Sequence, residues 1–162
     1  MGITFNIDET LQMAIQIEKN GQAFYEKAAA NAADEKVKQE FKALAAMEKT
    51  HEVFFTELKA QLSAAEKDPT VFDPDNEGVL YLNAFASGHV FKKDSNPAAE
   101  LTGDESVEDI LLKAIGLEKD SIVFYLGIKD MVPEKLGKDK VEKVIKEEMG
   151  HIRLLSQKIK EL

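Results

Sequence analysis

Apolar residues recur at alternating steps of three and four along most of the chain, which is the spacing of helices that bury one face. The clearest stripe spans residues 41–62, and three other stretches show the same pattern. Alternation of apolar and polar residues, the pattern of a half-buried strand, is not sustained over any useful length. Ser106 followed by Asp109 has the spacing of a capping box, which predicts a helix start at residue 107. The pattern therefore predicts an all-α fold, with helices over about residues 7–31, 34–64, 107–131 and 136–160.

The connections between the predicted helices indicate how they pack. Short turns join the first helix to the second and the third to the fourth, so each pair forms an antiparallel hairpin, at about residues 7–64 and 107–160. The crossover between the hairpins, at about residues 65–106, has turn residues at both ends and an apolar centre that predicts a short helix over 79–91. A connection of this length can run along a helix of about 36 Å. We therefore predict one domain over residues 1–162, a four-helix bundle with a single long crossover.

The two predicted hairpins are similar to each other in sequence. When the chain is shifted by 100 residues, segment 11–29 aligns with 111–129 and is identical at seven of nineteen positions. The following segments, 41–58 and 141–158, match at two positions only, and these are a Glu and a His in each copy. The self-similarity predicts two copies of one helical hairpin.

Six polar residues interrupt the apolar stripes at one level of the predicted bundle. Unpaired carboxylates in an apolar core would each cost several kcal/mol, and no Lys or Arg occupies the stripes at that level. Two divalent cations would cancel four carboxylate charges, and each neutral imidazole would add one nitrogen ligand. Iron, or manganese in its place, fits such an oxygen and nitrogen set, whereas structural zinc, the remaining candidate, usually recruits cysteine. The alternative is a metal-free bundle in which the Glu side chains reach the rim or pair with His. The six residues are Glu18, Glu48, His51, Glu118, Glu148 and His151.

Composition excludes several classes of function. The chain has no cysteine, so it can hold neither a disulfide nor a rubredoxin-type iron site. A formal net charge of −9 argues against nucleic-acid binding, which needs clustered Lys and Arg. No run of apolar residues is long enough to span a membrane, and the first residues do not form a signal peptide. We expect a cytoplasmic protein without nucleic-acid or membrane partners.

Four motifs carry a resemblance to a known family: IEKNGQAFY (17–25), MEKTH (47–51), LEKDSIVFY (117–125) and EEMGH (147–151). At these residues the sequence resembles the rubrerythrin family of the ferritin-like superfamily. The resemblance implies a non-haem centre of two iron ions, with the six core Glu and His residues as ligands. It also implies that Glu48 and Glu148 bridge the metals and that Glu18 and Glu118 are terminal.

The resemblance further implies an activity. Rubrerythrin-like centres react in the reduced state with hydrogen peroxide or dioxygen, and we expect the protein to reduce one of these two oxidants. Electrons would come from an external donor such as a rubredoxin-like protein, and a homodimer is the family expectation. Tyr25 and Tyr125 lie seven residues beyond Glu18 and Glu118, so we interpret them as hydrogen-bond donors to ligand carboxylates and as candidate catalytic residues. The alternative is that they are core tyrosines bonded elsewhere.

Departures from the family keep two other functions open. Rubrerythrin has an extra Glu three residues after the ligand of the third helix. This chain has Ser121 at that position, three residues after Glu118, and the repeat-related position is Gly21. The six-ligand set therefore also fits a ferroxidase or iron-handling protein of the bacterioferritin type, and a purely structural metal is a third option. Lys49 occupies the position of the haem-binding Met of bacterioferritins, so we expect no haem. We interpret His89 as a surface or packing residue and the charged run 138–148 as a solvated face.

Overall fold

The computed structural model describes residues 7–62, 80–81 and 96–162. These ranges hold four long α-helices, one short 3-10 helix at Glu134–Leu136 and no strand. The all-α fold is therefore confirmed. The helices are α1 (Ile7–Asn31), α2 (Glu35–Ala60), α3 (Val107–Lys129) and α4 (Lys138–Glu161).

Side-chain caps define two of the helix starts. The Ser106 hydroxyl accepts a hydrogen bond from the backbone N–H of Asp109, and the Asp109 carboxylate accepts one from the N–H of Ser106. This is the capping box that the sequence predicts, and α3 begins directly after it. Asp34 caps α2 in the same way, by accepting from the N–H of Val37 at 2.9 Å.

Three predicted helix boundaries are wrong by two to four residues. Helix α2 ends at Ala60 and not at residue 64. Helix α3 ends at Lys129 and not at 131, because the N–H groups of the next turn bond back to the carbonyl of Ile128. Helix α4 begins at Lys138 and not at 136, because Gly137 has a φ of +110° and separates it from the 3-10 helix. Such a φ is readily adopted by glycine alone.

The apolar core consists of two clusters at opposite ends of the bundle. One cluster joins the start of α1 to the ends of α2 and α3 and the start of α4. The other joins the later part of α1 to the starts of α2 and α3 and the later part of α4. The Glu and His residues that interrupt the apolar stripe of each helix lie between the two clusters. The fold therefore places them in one layer at mid-height.

Most of the crossover falls outside the described residues. The predicted short helix and His89 lie there, apart from Leu80 and Tyr81, which are helical. The Tyr81 hydroxyl donates to the carbonyl of Val123, so this point of the crossover touches α3. Within the described ranges, none of the helices is both long and apolar enough to cross a membrane.

Candidate metal centre

The six polar residues of the apolar stripes lie together at the centre of the bundle. Each helix contributes one Glu, and α2 and α4 each contribute one His in addition. All six residues are buried, with at most 6% of any of them exposed. The structure thus brings every candidate ligand into one enclosed cluster.

The cluster divides into two overlapping groups of four. In each group one oxygen or nitrogen atom per residue lies within 4.8 Å of the others. Glu48 and Glu148 belong to both groups, which is the placement that bridging ligands require. The first group is completed by Glu18 and His51, and the second by Glu118 and His151.

Glu148 lies between the two imidazole rings. Its Oε1 is 3.0 Å from Nδ1 of His51, and its Oε2 is 2.8 Å from Nδ1 of His151. The same Nδ1 atoms face the outer carboxylates, at 3.5 Å from Glu18 Oε2 and 3.3 Å from Glu118 Oε1. Both histidines therefore direct Nδ1 into the cluster.

Seven buried oxygen and nitrogen atoms of the cluster have no hydrogen-bond partner among the described residues. Buried polar atoms without partners cost about 1–3 kcal/mol each, more if charged. Within the described part of the chain, the cluster's carboxylates make no ion pair with Lys or Arg. Carboxylate oxygens and imidazole nitrogens are the ligands that iron and manganese accept, so the residues present fit a pair of such ions. The unsatisfied atoms are Glu18 Oε2, Glu48 Oε1, His51 Nδ1, both carboxylate oxygens of Glu148 and both ring nitrogens of His151.

The comparisons with known proteins agree with this geometry. The rubrerythrin family model matches residues 9–157, most of the chain. The chain belongs to the rubrerythrin family. A crystal structure from Thermotoga maritima, described as that of a ferritin-like diiron-carboxylate protein, is similar in fold with a TM-score of 0.73. The two sequences are 24% identical, and the match covers 99% of each chain. Among curated proteins there is no significant match.

Protons balance part of the charge in this rubrerythrin-family site when no metal is bound. Burial raises the pKa of Glu48 and of Glu118 to about 7, and it raises the pKa of Glu18 well above its usual value. These carboxyl groups gain protons more readily than exposed ones, because the apolar surroundings disfavour their ionised forms.

The pKa values of the two histidines and of Glu148 shift against the effect of burial. Burial alone would lower the pKa of both imidazoles, but the surrounding carboxylates outweigh it and raise the pKa of His51 to about 11 and that of His151 to about 12. Burial alone would raise the pKa of Glu148, but the two histidines outweigh it and lower that pKa to about 2. The metal-free site is therefore an anionic Glu148 between two cationic imidazoles.

The two buried tyrosines bind carboxylates of the opposite hairpin. The Tyr25 hydroxyl donates to Glu118 Oε1, and the Tyr125 hydroxyl donates to Glu18 Oε1. Both tyrosines are thus donors to candidate ligand carboxylates, as predicted from the sequence, and the structure shows which carboxylate each one reaches. Their catalytic role stays a prediction. Because Tyr125 occupies only one oxygen of Glu18, the other oxygen is left facing His51.

The position of the family's extra Glu carries no carboxylate here. Ser121 is buried, and its hydroxyl donates to the carbonyl of Leu117 on its own helix, at 2.9 Å. The repeat-related Gly21 has a different role, because a Cβ added there would lie 2.5 Å from Glu48 Oε2. The missing side chain lets the Glu48 carboxylate lie directly against α1.

One residue that contacts the cluster was not predicted from the sequence. Glu147 lies in the run 138–148, which was predicted to be a solvated face. Its Oε2 is instead 2.9 Å from Nε2 of His51. This contact joins α4 to α2 across 96 residues of sequence, and no spacing rule within one helix could have predicted it.

Proposed function

We propose that the protein binds two iron ions in this cluster and reduces hydrogen peroxide or dioxygen with electrons from another protein. The observation that supports the proposal is the set of buried donor atoms without hydrogen-bond partners, which form two groups sharing two carboxylates. We further propose that the protein is a cytoplasmic homodimer. Its electron donor would be a rubredoxin-like protein, because the chain has no cysteine to hold a rubredoxin-type iron itself.

The two groups define which residues would hold each ion. Glu18 and His51 would hold one ion and Glu118 and His151 the other, with two carboxylates shared. Two bound ferrous ions would supply the two electrons that convert hydrogen peroxide and two protons into two molecules of water. The burial of all six side chains excludes bulk water, which strengthens electrostatic interactions in the site.

The two tyrosines orient the outer carboxylates of the cluster. The hydroxyls of Tyr25 and Tyr125 fix one oxygen of Glu118 and of Glu18, respectively, and thereby limit rotation of these carboxylates. Ligands that are held in place before metal binding lose less conformational entropy on binding.

Ser121 favours a second candidate function. Because this position offers no carboxylate, the site has six ligands and lacks the family's additional one. The same six ligands suit a ferroxidase that oxidises Fe(II) and passes on or stores the product.

Metal analysis followed by an anaerobic titration tests the proposal. Protein purified without added iron is analysed for metal, loaded with Fe(II), and titrated with peroxide in the presence of a reduced donor. Repeated turnover with two bound iron ions per chain supports peroxide reduction, whereas net iron uptake into a large assembly supports the ferroxidase. Redox-inert zinc, without any oxidant reaction, would contradict both and leave a structural metal.

Two variants sharpen this test. Glu48→Ala removes a shared carboxylate and should abolish binding of at least one metal ion. Ser121→Glu restores the family's carboxylate and should raise the peroxide rate if the missing ligand limits it. Two ions per chain in Glu48→Ala would refute the ligand assignment.

A further inference from the structure

The two histidines of the cluster are not supported in the same way. His51 Nδ1 faces Glu148 inside the cluster at 3.0 Å, and on the outer side of the ring Nε2 is hydrogen-bonded to Glu147 Oε2 at 2.9 Å. Glu147 belongs to neither group of candidate ligands. Its side chain is 31% exposed, and its other oxygen lies 3.8 Å from exposed Lys143. Glu147 therefore meets the cluster at the outer edge of His51.

The repeat shows what is missing on the other side. A shift of 100 residues relates His151 to His51 and Met47 to Glu147. Met47 is 37% exposed and offers no carboxylate. Nε2 of His151 is buried and has no hydrogen-bond partner in the described ranges. The six ligands repeat between the hairpins, but the carboxylate that supports the histidine does not.

We propose that Glu147 is a positioning residue that makes the two metal positions unequal, an inference that rests on the proposed metal centre. When the Nε2–H of His51 donates to Glu147, the ring is held in one orientation and its Nδ1 lone pair is directed into the cluster. A carboxylate partner of this kind also makes the imidazole a stronger ligand, and its loss typically weakens metal binding by about 10- to 100-fold. The position formed with Glu18 and His51 is occupied first, and the position formed with Glu118 and His151 is occupied second.

A titration of the metal-free full-length protein with cobalt(II) under anaerobic conditions tests this order. Cobalt is read from its visible absorption and by calorimetry, so that no catalytic activity is needed. For the native chain we expect two binding steps whose dissociation constants differ by about 10- to 100-fold. Glu147→Met, which copies the residue at position 47, should weaken the tighter step by that factor and merge the two steps.

Three further variants separate positioning from charge. Glu147→Gln keeps an acceptor oxygen without the charge and should retain part of the separation. Glu142→Gln removes a charge from an exposed residue of α4 that pairs with Lys146 at 3.7 Å, and it should leave both steps unchanged. Met47→Glu places a carboxylate at the position that the repeat relates to Glu147 and should tighten the second step.

Proton resonances of the imidazole rings give a readout that a general stability effect would not change. As cobalt is added up to one equivalent, the shifted N–H resonance of His51 should appear before that of His151. The His51 N–H should also exchange slowly with solvent. Glu147→Met should remove this slow exchange.

The outcomes separate this inference from the proposed function. Two cobalt ions bound in one step by the native chain, or steps unaffected by Glu147→Met, overturn the inference while the metal centre stands. Equal effects of Glu142→Gln and Glu147→Met on metal binding also overturn the inference, because they would show that the loss of a negative charge anywhere on α4 has the same effect. No cobalt binding at all would overturn both the inference and the metal centre.

Discussion

Replacing Gly21 by alanine should weaken metal binding without unfolding the protein. The added Cβ would lie 2.5 Å from Oε2 of Glu48, closer than real Cβ atoms approach, and 3.2 Å from its Cδ, which is a tight contact. The atoms in conflict are at the free end of a side chain, so Glu48 can turn away in the metal-free protein. It cannot do so without cost when its carboxylate is needed by both metal positions.

The expected magnitudes follow from two opposing effects in the metal-free state. Alanine is preferred over glycine in a helix interior by about 0.5–1 kcal/mol. Forcing Glu48 away from its preferred rotamer costs on the order of 0.5–1.5 kcal/mol. The free energy of unfolding of the metal-free variant should therefore stay within about 1 kcal/mol of the native value. Disturbing a ligand's position should lower metal affinity by about 10- to 100-fold.

Gly116→Ala is the matched control, because Gly116 also lies inside a helix but a Cβ there would meet no atom within 4 Å in the described residues outside the adjoining helix backbone. This variant should gain the helix preference alone, raise the melting temperature by about 2 °C and leave metal affinity unchanged. Thermal unfolding with and without cobalt measures both quantities. A tenfold loss of affinity reduces the stabilisation by metal by about 1.4 kcal/mol.

One result would refute this reasoning. If Gly21→Ala bound two cobalt ions with native affinity and showed the same stabilisation as Gly116→Ala, the close approach of Glu48 to α1 would have no role in the site.

Three other perturbations have defined outcomes. The folded-state pKa values of the two cluster histidines, about 11 and about 12, lie above the ordinary value of 6.5, so both carry a proton at neutral pH that metal must displace. Metal binding should therefore release protons and strengthen as pH rises, and calorimetry in buffers of different ionisation enthalpy that shows no release would contradict this. Glu148→Gln should destabilise the metal-free protein by on the order of 3 kcal/mol, because it removes the carboxylate charge that lies between the two buried imidazolium rings. Glu48→Gln should destabilise it much less, because the Glu48 pKa is raised to about 7 and its ionised form is not favoured by the fold; equal losses in urea unfolding would refute the contrast. The Glu148 contribution is present above the ordinary pKa of 4.5 and is lost as pH falls towards 2. Tyr125→Phe leaves Glu18 Oε1 without its donor and should cost about 1–3 kcal/mol, and an unchanged unfolding midpoint would show that the hydrogen bond contributes nothing.

The helix count, the capping box of α3 and the clustering of the six candidate ligands could be predicted from sequence. These features depend on local rules, because the periodicity of apolar residues states which face of a helix is buried. A Glu or His on that face must enter the core wherever the helix packs. The 100-residue repeat then placed the two halves of the site at the same level.

The helix ends and the partners across the bundle could not be predicted in this way. Helix α3 stops at Lys129 because the following backbone turns back on Ile128, and no proline or glycine marks that residue. Tyr25 and Tyr125 share the helical face of the Glu that precedes each of them, yet each bonds to the Glu of the other hairpin. Spacing within one helix predicts which residues share a face, but it does not predict which residues of the other helices that face contacts.

The sequence by itself determined that four carboxylates and two imidazoles would be buried together, because burial follows from helical periodicity and the charges on the apolar stripes are explicit in the residues. Only the tertiary structure decided that Glu148 lies between the two rings, that Glu48 rests against Gly21, and that Glu147 contacts one histidine while the other has no such partner in the described part of the chain. These contacts depend on the rotation and axial position of each helix against its neighbours, which are set by the packing of all the side chains between them.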